Sequence, residues 1–86
     1  MYTIWKFQLT LIEQVLEMPV GAQVLTVQYQ RNTLCLWVRC NPDSVKEKRR
    51  FMVVGTGHEC PKPEESLYVG TVQEGDLVWH VFEKIR

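Results

Sequence analysis

Residues 23–40 read QVLTVQYQ-RN-TLCLWVRC, two alternating runs on either side of a polar pair. Alternation with a period of two is the pattern of a half-buried β-strand. The apolar positions that share a face are Leu25, Val27 and Tyr29 in the first run and Leu34, Leu36 and Val38 in the second. Arg31-Asn32 between the runs predicts the tip of a β-hairpin.

The second run of this hairpin also carries bulky side chains on its other face. That face holds Cys35, Trp37 and Arg39. A strand with large groups on both faces lies in the middle of a sheet or faces a partner. We therefore expect this strand to be central or to face a partner.

The remaining chain repeats the strand pattern, with Trp5 and Phe7 on the predicted core face of the first strand. Turns are predicted at residues 19–22 and 74–75 from their proline and glycine. The predicted strands are residues 2–10, 13–18, 23–30, 34–40, 51–54, 67–73 and 76–85. We predict one all-β domain over residues 1–86, a compact antiparallel barrel or sandwich of about seven short strands. An exposed sheet edge favours pairing with a second copy, so we expect a homo-oligomer.

Ten basic and ten acidic residues give a formal net charge of zero. A general nucleic-acid binder is usually basic, so we do not expect nucleic acid as a partner, although a local patch can bind one compact anion. No apolar run is long enough to span a bilayer, and the N-terminal sequence lacks the layout of a signal peptide. We therefore predict a cytoplasmic protein without a membrane partner, whose three cysteines are reduced.

A glycine turn follows a basic, apolar run at residues 49–61, RRFMVVGTGHECP. The backbone N–H groups of Gly55, Thr56 and Gly57, with His58 after them, can form a nest that holds an anion. A turn that uses glycine only for its backbone freedom explains the same residues. Both interpretations of this turn remain open from the sequence.

Charged and aromatic side chains complete the predicted anion site. Arg49 or Arg50, just before the apolar part of the strand, can offer a guanidinium fork to a phosphate. Trp37 or Tyr68 can stack on a base. Core packing is the competing interpretation for any one aromatic residue.

The other reactive side chains form no known catalytic pattern. His58, Cys60, Cys40 and His80 include ligand types that bind zinc, but no closely spaced pair prepares a metal site. No orienting acid or oxyanion hole accompanies a nucleophile. We therefore predict a protein that is not an enzyme and has no cofactor.

Several short motifs extend over nearly the whole chain. They are Trp5-Lys6-Phe7, Met18-Pro19-Val20-Gly21-Ala22, Leu36-Trp37, Val54-Gly55-Thr56-Gly57-His58, Tyr68-Val69-Gly70-Thr71 and His80-Val81-Phe82-Glu83. In these motifs the chain resembles a family of small, mostly phage- and prophage-encoded proteins of unknown function. The resemblance implies a host-cell cytoplasmic setting, in which such proteins disable a host component or assist replication or assembly.

Two functions follow as hypotheses. The first is a non-enzymatic protein that sequesters a small anionic ligand, such as a cyclic nucleotide that serves as a host defence signal. The alternative is a protein–protein interaction module that inhibits a host protein or serves phage assembly. A weaker third option is the binding of single-stranded nucleic acid, against which the neutral charge argues.

Overall fold

The computed structural model describes residues 1–10 and 12–86. Its elements are β1 Thr3–Leu9, β2 Glu13–Pro19, β3 Gln23–Gln30, β4 Thr33–Cys40, β5 Lys46–Gly55, a single 3-10 turn Pro63–Glu65, β6 Ser66–Glu74 and β7 Leu77–Lys84. The all-β prediction is confirmed. Within the described residues, no helix is long and apolar enough to cross a bilayer.

The strands form two antiparallel sheets, one of three strands in the order β1-β4-β3 and one of four in the order β2-β5-β7-β6. They stack as a sandwich and do not close into a barrel over the part of the chain that the structure describes. β4 lies between β1 and β3, which confirms that it is a central strand.

The sheets approach each other closely where β3 meets β6. A Cβ atom at Gly70 would lie 2.8 Å from Cγ1 of the buried Val27. Glycine at this position therefore permits the contact between the two strands.

The core lies between the sheets and is formed by the inward faces of the strands. Phe51, Leu36, Val38 and Val81 are completely buried there. Trp5 and Phe7 pack against this core, which confirms the predicted inner face of β1. The two rings meet edge to face, with centroids 6.3 Å apart.

Two local features differ from the predictions. A bulge between Val24 and Thr26 shifts the register of β3, so that Leu25 points to solvent instead of sharing the face of Val27. Residues 46–50, predicted as a charged approach, are the first half of β5 and pair with β2. The charged residues are tolerated because one side of this half faces water, and Arg49 on the other side has an ionic partner.

The predicted hairpin between β3 and β4 is confirmed. Arg31 and Asn32 have φ values of 51° and 64°, the left-handed conformation that a two-residue hairpin loop requires. This short turn places the two strands side by side and fixes their register.

Candidate functional site

The side chains predicted to form one anion site lie in three separate parts of the fold. Arg50 and Gly55 belong to the same strand, five residues apart, which corresponds to about 16 Å along an extended chain. Trp37 lies in the other sheet. The structure therefore does not bring the arginines, the glycine turn and the tryptophan together.

Arg49 points to the interior and is fully engaged. Its Nε and Nη2 donate to the two carboxylate oxygens of Glu83 at 2.6 and 2.8 Å, and its Nη1 donates to the carbonyl of Ala22 at 2.6 Å. The hydrogen bond to Glu83 raises the pKa of Arg49 above its already high ordinary value. Arg49 thus joins the β2–β3 turn to the four-stranded sheet, and Tyr68 lines the shallow groove beside it.

Arg50, the next residue, points outward from the four-stranded sheet. Its Nη2 and the Nζ of Lys84 each lie 3.4 Å from the same carboxylate oxygen of Glu13. One carboxylate therefore partly neutralises both cations.

Two backbone amides of the glycine turn donate hydrogen bonds to carbonyls of the protein itself. The amide of His58 donates to the carbonyl of Gly55 at 3.1 Å, and the amide of Thr56 donates to the carbonyl of Val78 at 3.3 Å. Gly57 has φ +88°, which favours glycine there. A nest loses its anion-binding donors when neighbouring carbonyls take them, so this geometry favours the structural interpretation of the turn.

The side chain of Thr56 takes part in a network with His80. The two ring nitrogens of His80 contact the hydroxyls of Thr56 at 2.7 Å and Thr71 at 3.0 Å. The hydroxyl of Tyr68 lies 2.6 Å from that of Thr71, and its ring packs edge to face on Phe82. This network leaves neither ring nitrogen of His80 free to act as a base toward a ligand.

The sequence analysis did not find this network because its members come together only through strand register. Thr71 lies opposite His80, and Tyr68 lies opposite Phe82, in the β6–β7 pairing. The hairpin tip was predicted at residues 74–75, but Glu74 pairs with Leu77, and a bulge between Tyr68 and Gly70 shifts the register again. Counting outward from the predicted tip would therefore not have identified these pairs.

Trp37 occupies the middle of the outer face of the three-stranded sheet. In the strand register it lies opposite Lys6 of β1 on one side and Thr26 of β3 on the other. It is half-buried, and Ile4 and Leu25 line a shallow hollow with it. Its side chain is therefore partly covered and partly open to solvent.

The two cations on this outer face have neutral partners. Nζ of Lys6 donates to Oε1 of Gln30 at 2.8 Å, and Nη2 of Arg39 donates to Oε1 of Gln23. No residue of β1, β3 or β4, all of which the structure describes, is an aspartate or a glutamate. We call this surface the acid-free face; its side chains are Ile4, Lys6, Gln8, Gln23, Leu25, Thr26, Gln28, Gln30, Cys35, Trp37 and Arg39.

The acid-free face contains one residue that the sequence analysis singled out, Trp37. Neither Lys6 nor Arg39 was predicted as a site residue. Lys6 lies opposite Trp37 only through the pairing of β1 with β4, whereas Arg39 lies two residues after Trp37 on the same strand. One signal was available in the sequence: residues 1–12 and 18–42 contain no acidic residue.

No group of three or more His, Cys, Asp or Glu side chains converges as a metal site within residues 1–10 and 12–86. Cys35 and Cys40 are buried, and Cys60 is exposed.

Comparison with known proteins gives one result. A family model described as "Domain of unknown function (DUF7352)" matches residues 1–86. No curated protein and no solved structure matches the chain.

Proposed function

Because the chain belongs to the DUF7352 family, whose function is unknown, we propose from its own surface that it binds and sequesters a small anionic ligand of the nucleotide type. The ligand lies on the acid-free face, and the protein does not transform it. The observation that carries the proposal is a half-buried tryptophan next to two cations, on three strands that contain no carboxylate.

The charge on the acid-free face supports an anionic ligand. Lys6 and Arg39 donate to glutamine amides, which carry no charge to compensate them. A cation attracts a phosphate less strongly when a carboxylate already pairs with it, because the paired charges cancel at a distance. Lys6 and Arg39 have no such carboxylate partner in the structure.

Trp37 supports an aromatic group next to the phosphate. Base–aromatic stacking contributes about 1–3 kcal/mol per base in proteins that bind single nucleotides or strands. The ring is flanked by Lys6 in the strand register and stands two residues before Arg39 on the same face of β4. A ligand that stacks on Trp37 therefore brings its phosphate within reach of either cation.

Glutamine amides supply the remaining polar contacts of the acid-free face. Gln8 and Gln28 flank Cys35 in the strand register, on either side of β4. Each amide offers both a donor and an acceptor, which suits the edge of a base. Neutral polar groups of this kind add selectivity without repelling the phosphate.

The biological setting remains part of the proposal. The resemblance to phage-encoded proteins suggests a host cytoplasm, and a cyclic nucleotide that signals defence suits a protein that acts by sequestration. Pairing along the exposed edge of β1 is the route that we propose for a homo-oligomer, since that strand has a partner on one side only within the described sheet.

Isothermal titration calorimetry with 3′,5′-cyclic AMP, 3′,5′-cyclic GMP, cyclic di-AMP and cyclic di-GMP tests this proposal. We expect saturable binding of at least one, with adenosine and inorganic phosphate each binding far more weakly, because each lacks one half of the ligand. If all four cyclic nucleotides give no heat at any protein concentration that the sample allows, the proposal is wrong.

A second function is favoured by one feature of the same surface. Ile4 is 58% exposed and Leu25 is 43% exposed, and both flank Trp37. Exposed apolar side chains around a central tryptophan also suit the docking of a protein. Capture of one stoichiometric partner by the wild-type chain, lost in Ile4→Asp, together with no nucleotide binding, would select this alternative.

A further inference from the structure

The polar network around His80, on the four-stranded sheet, has the layout of an alcohol and its base. Oγ1 of Thr56 lies 2.7 Å from Nε2 of His80, and Nδ1 of the same ring lies 3.0 Å from Oγ1 of Thr71. A hydroxyl within hydrogen-bond reach of an imidazole that a third group orients is the arrangement that activates an alcohol for attack. Here the base acts on a side chain of the protein and not on a ligand.

Strand register brings the members of this network together. His80 pairs with Val54 of β5 on one side and with Thr71 of β6 on the other. Thr56 comes two residues after Val54, immediately past the end of β5. The hydroxyl of Tyr68 lies 2.6 Å from Oγ1 of Thr71 and extends the network along β6. Three neighbouring strands therefore fix the positions of the alcohol, the imidazole and the group that orients it.

The two hydrogen-bond lengths assign the protons of the network. Bonds donated by an N–H to oxygen usually measure about 2.9–3.0 Å, and bonds donated by a hydroxyl are shorter, about 2.7–2.8 Å to oxygen. The longer contact therefore fits Nδ1–H of His80 donating to Thr71, and the shorter one fits the hydroxyl of Thr56 donating to Nε2. A neutral imidazole has one donor and one acceptor nitrogen, so the two assignments agree. The lone pair of Nε2 is directed at the proton of Thr56.

The surroundings of Thr56 indicate which class of reagent it can attack. Thr56 is exposed, whereas the ring of His80 is half-buried, so a reagent can reach the hydroxyl while the base is held by the sheet. Neither Thr71 nor Tyr68 brings a cation that would neutralise a phosphoryl group. Neither brings a carboxylate that would stabilise a charged imidazolium. The site therefore suits an uncharged, activated ester whose leaving group departs easily.

We propose that Thr56 is a covalent acylation site for activated carboxylic esters, with His80 as its general base. Oγ1 of Thr56 attacks the carbonyl carbon as its proton passes to Nε2 of His80. The bond between the carbonyl carbon and the alkoxide or aryloxide leaving group breaks, and the leaving group takes the proton from the imidazole. The products are an ester of Thr56 and a free alcohol or phenol, so no oxidant or reductant is needed. This site is separate from the acid-free face and does not depend on the proposed nucleotide ligand.

Acylation by p-nitrophenyl acetate, followed by peptide mass spectrometry of the full chain, tests this proposal. We expect one acetyl group on Thr56, formed at least about 10-fold faster than on the other threonines, because general-base catalysis contributes about 100-fold or more where it operates. Hydroxylamine removes esters but not the amides formed on lysines, so it identifies the threonine product. The rate should rise with pH as His80 loses its proton and then level off. In urea, where the network is absent, the preference for Thr56 should disappear.

Four variants separate the roles of the network. His80→Gln should slow the acylation of Thr56 roughly 100-fold, because the base is removed. Thr56→Ser should retain the reaction, and Thr56→Val should abolish it at this position. Thr71→Val tests a positioning residue: the ¹⁵N shifts of the His80 ring should change, because Nδ1–H loses its acceptor. Thermal melts confirm that each variant is folded.

The proposal is overturned if the folded wild-type chain acetylates Thr56 no faster than its other threonines. It is also overturned if folded His80→Gln acetylates Thr56 at the wild-type rate. The first result needs no variant, so the test does not depend on whether a substituted chain folds. Neither result affects the proposed nucleotide site, which lies on the other sheet.

Discussion

The outer faces of the two sheets use similar residue types but treat their cations differently. On the four-stranded sheet, Arg50 and Lys84 share the carboxylate of Glu13. On the three-stranded sheet, Lys6 and Arg39 have only glutamine amides. Whether a surface attracts an anion therefore depends on the partner of each cation and not only on whether a cation is present.

The aromatic residues of the two faces also differ in their surroundings. Tyr68 is tied through its hydroxyl to Thr71, and Thr71 to His80. Trp37 lies at the centre of its sheet, between strands that carry no carboxylate. The network on the four-stranded sheet joins its polar groups to one another, whereas the two cations of the acid-free face donate to neutral amides.

The largest expected effect concerns the arginine that belongs to neither face. Glu83→Gln should lower the free energy of unfolding by about 3 kcal/mol, because it leaves the mostly buried guanidinium of Arg49 without its counter-charge. Urea unfolding measures the change. The matched control Glu13→Gln removes an exposed pair and should cost less than about 1 kcal/mol. Equal losses for the two variants would contradict the structural role of Arg49.

The next largest effect concerns one aromatic residue on each of the two sheets. Trp37→Ala should weaken cyclic-nucleotide binding by roughly 10- to 100-fold, because the stacking surface is lost. Tyr68→Ala, on the other sheet, should leave the affinity unchanged. Calorimetry on both variants provides the measurement, and thermal melts confirm that each is folded. A loss of binding in Tyr68→Ala alone would move the site to the four-stranded sheet.

Substitutions that change the charge of each outer face test the role of the cations. Gln30→Glu gives Lys6 a carboxylate partner and should weaken nucleotide binding roughly 5- to 10-fold. Arg39→Gln should have a similar effect and should also reduce the salt dependence of binding. Arg50→Gln is the control with no expected effect. If Arg50→Gln weakens binding and Arg39→Gln does not, the assignment of the faces is wrong.

The smallest expected effect concerns Tyr29, whose hydroxyl donates to Oε1 of Glu74. Since the pKa of Tyr29 is raised above 10.0 in the folded chain, its neutral form contributes stability that is complete below about pH 10 and is lost as pH rises through the raised pKa. Tyr29→Phe should remove this step, at a cost of about 1 kcal/mol or less at neutral pH. Absorbance at the tyrosinate band, compared between wild type and variant, follows the titration. A normal tyrosine titration in the wild type would contradict this prediction.

The sequence was sufficient for the strands and for the central position of β4, because alternation and two-sided bulk are local properties. It did not reveal the bulge in β3, since Leu25 fits the alternation and only the pairing with β4 shows the shift. Nor could it show that β5 starts at Lys46, because a charged run resembles a loop until β2 supplies hydrogen bonds.

The site was harder to predict for a physical reason. Arg49 and Arg50 are neighbours in sequence, but successive residues of a strand point to opposite faces, so one is internal and the other external. Lys6 and Trp37 are far apart in sequence, but the register of β1 and β4 places them opposite each other. Arg49 and Arg50 were therefore predicted to share one site although the fold separates them. Lys6 and Trp37 share a surface because of strand register, and no local motif connects them.

The most direct test of the acid-free face follows the three tryptophan indole signals during a titration with the cyclic nucleotide that binds in calorimetry. Trp37 lies on that face, whereas Trp5 and Trp79 pack against the core. We predict that the Trp37 signal moves and saturates at the calorimetric stoichiometry, while those of Trp5 and Trp79 stay in place. A bound nucleotide that leaves the Trp37 signal unmoved would contradict the account.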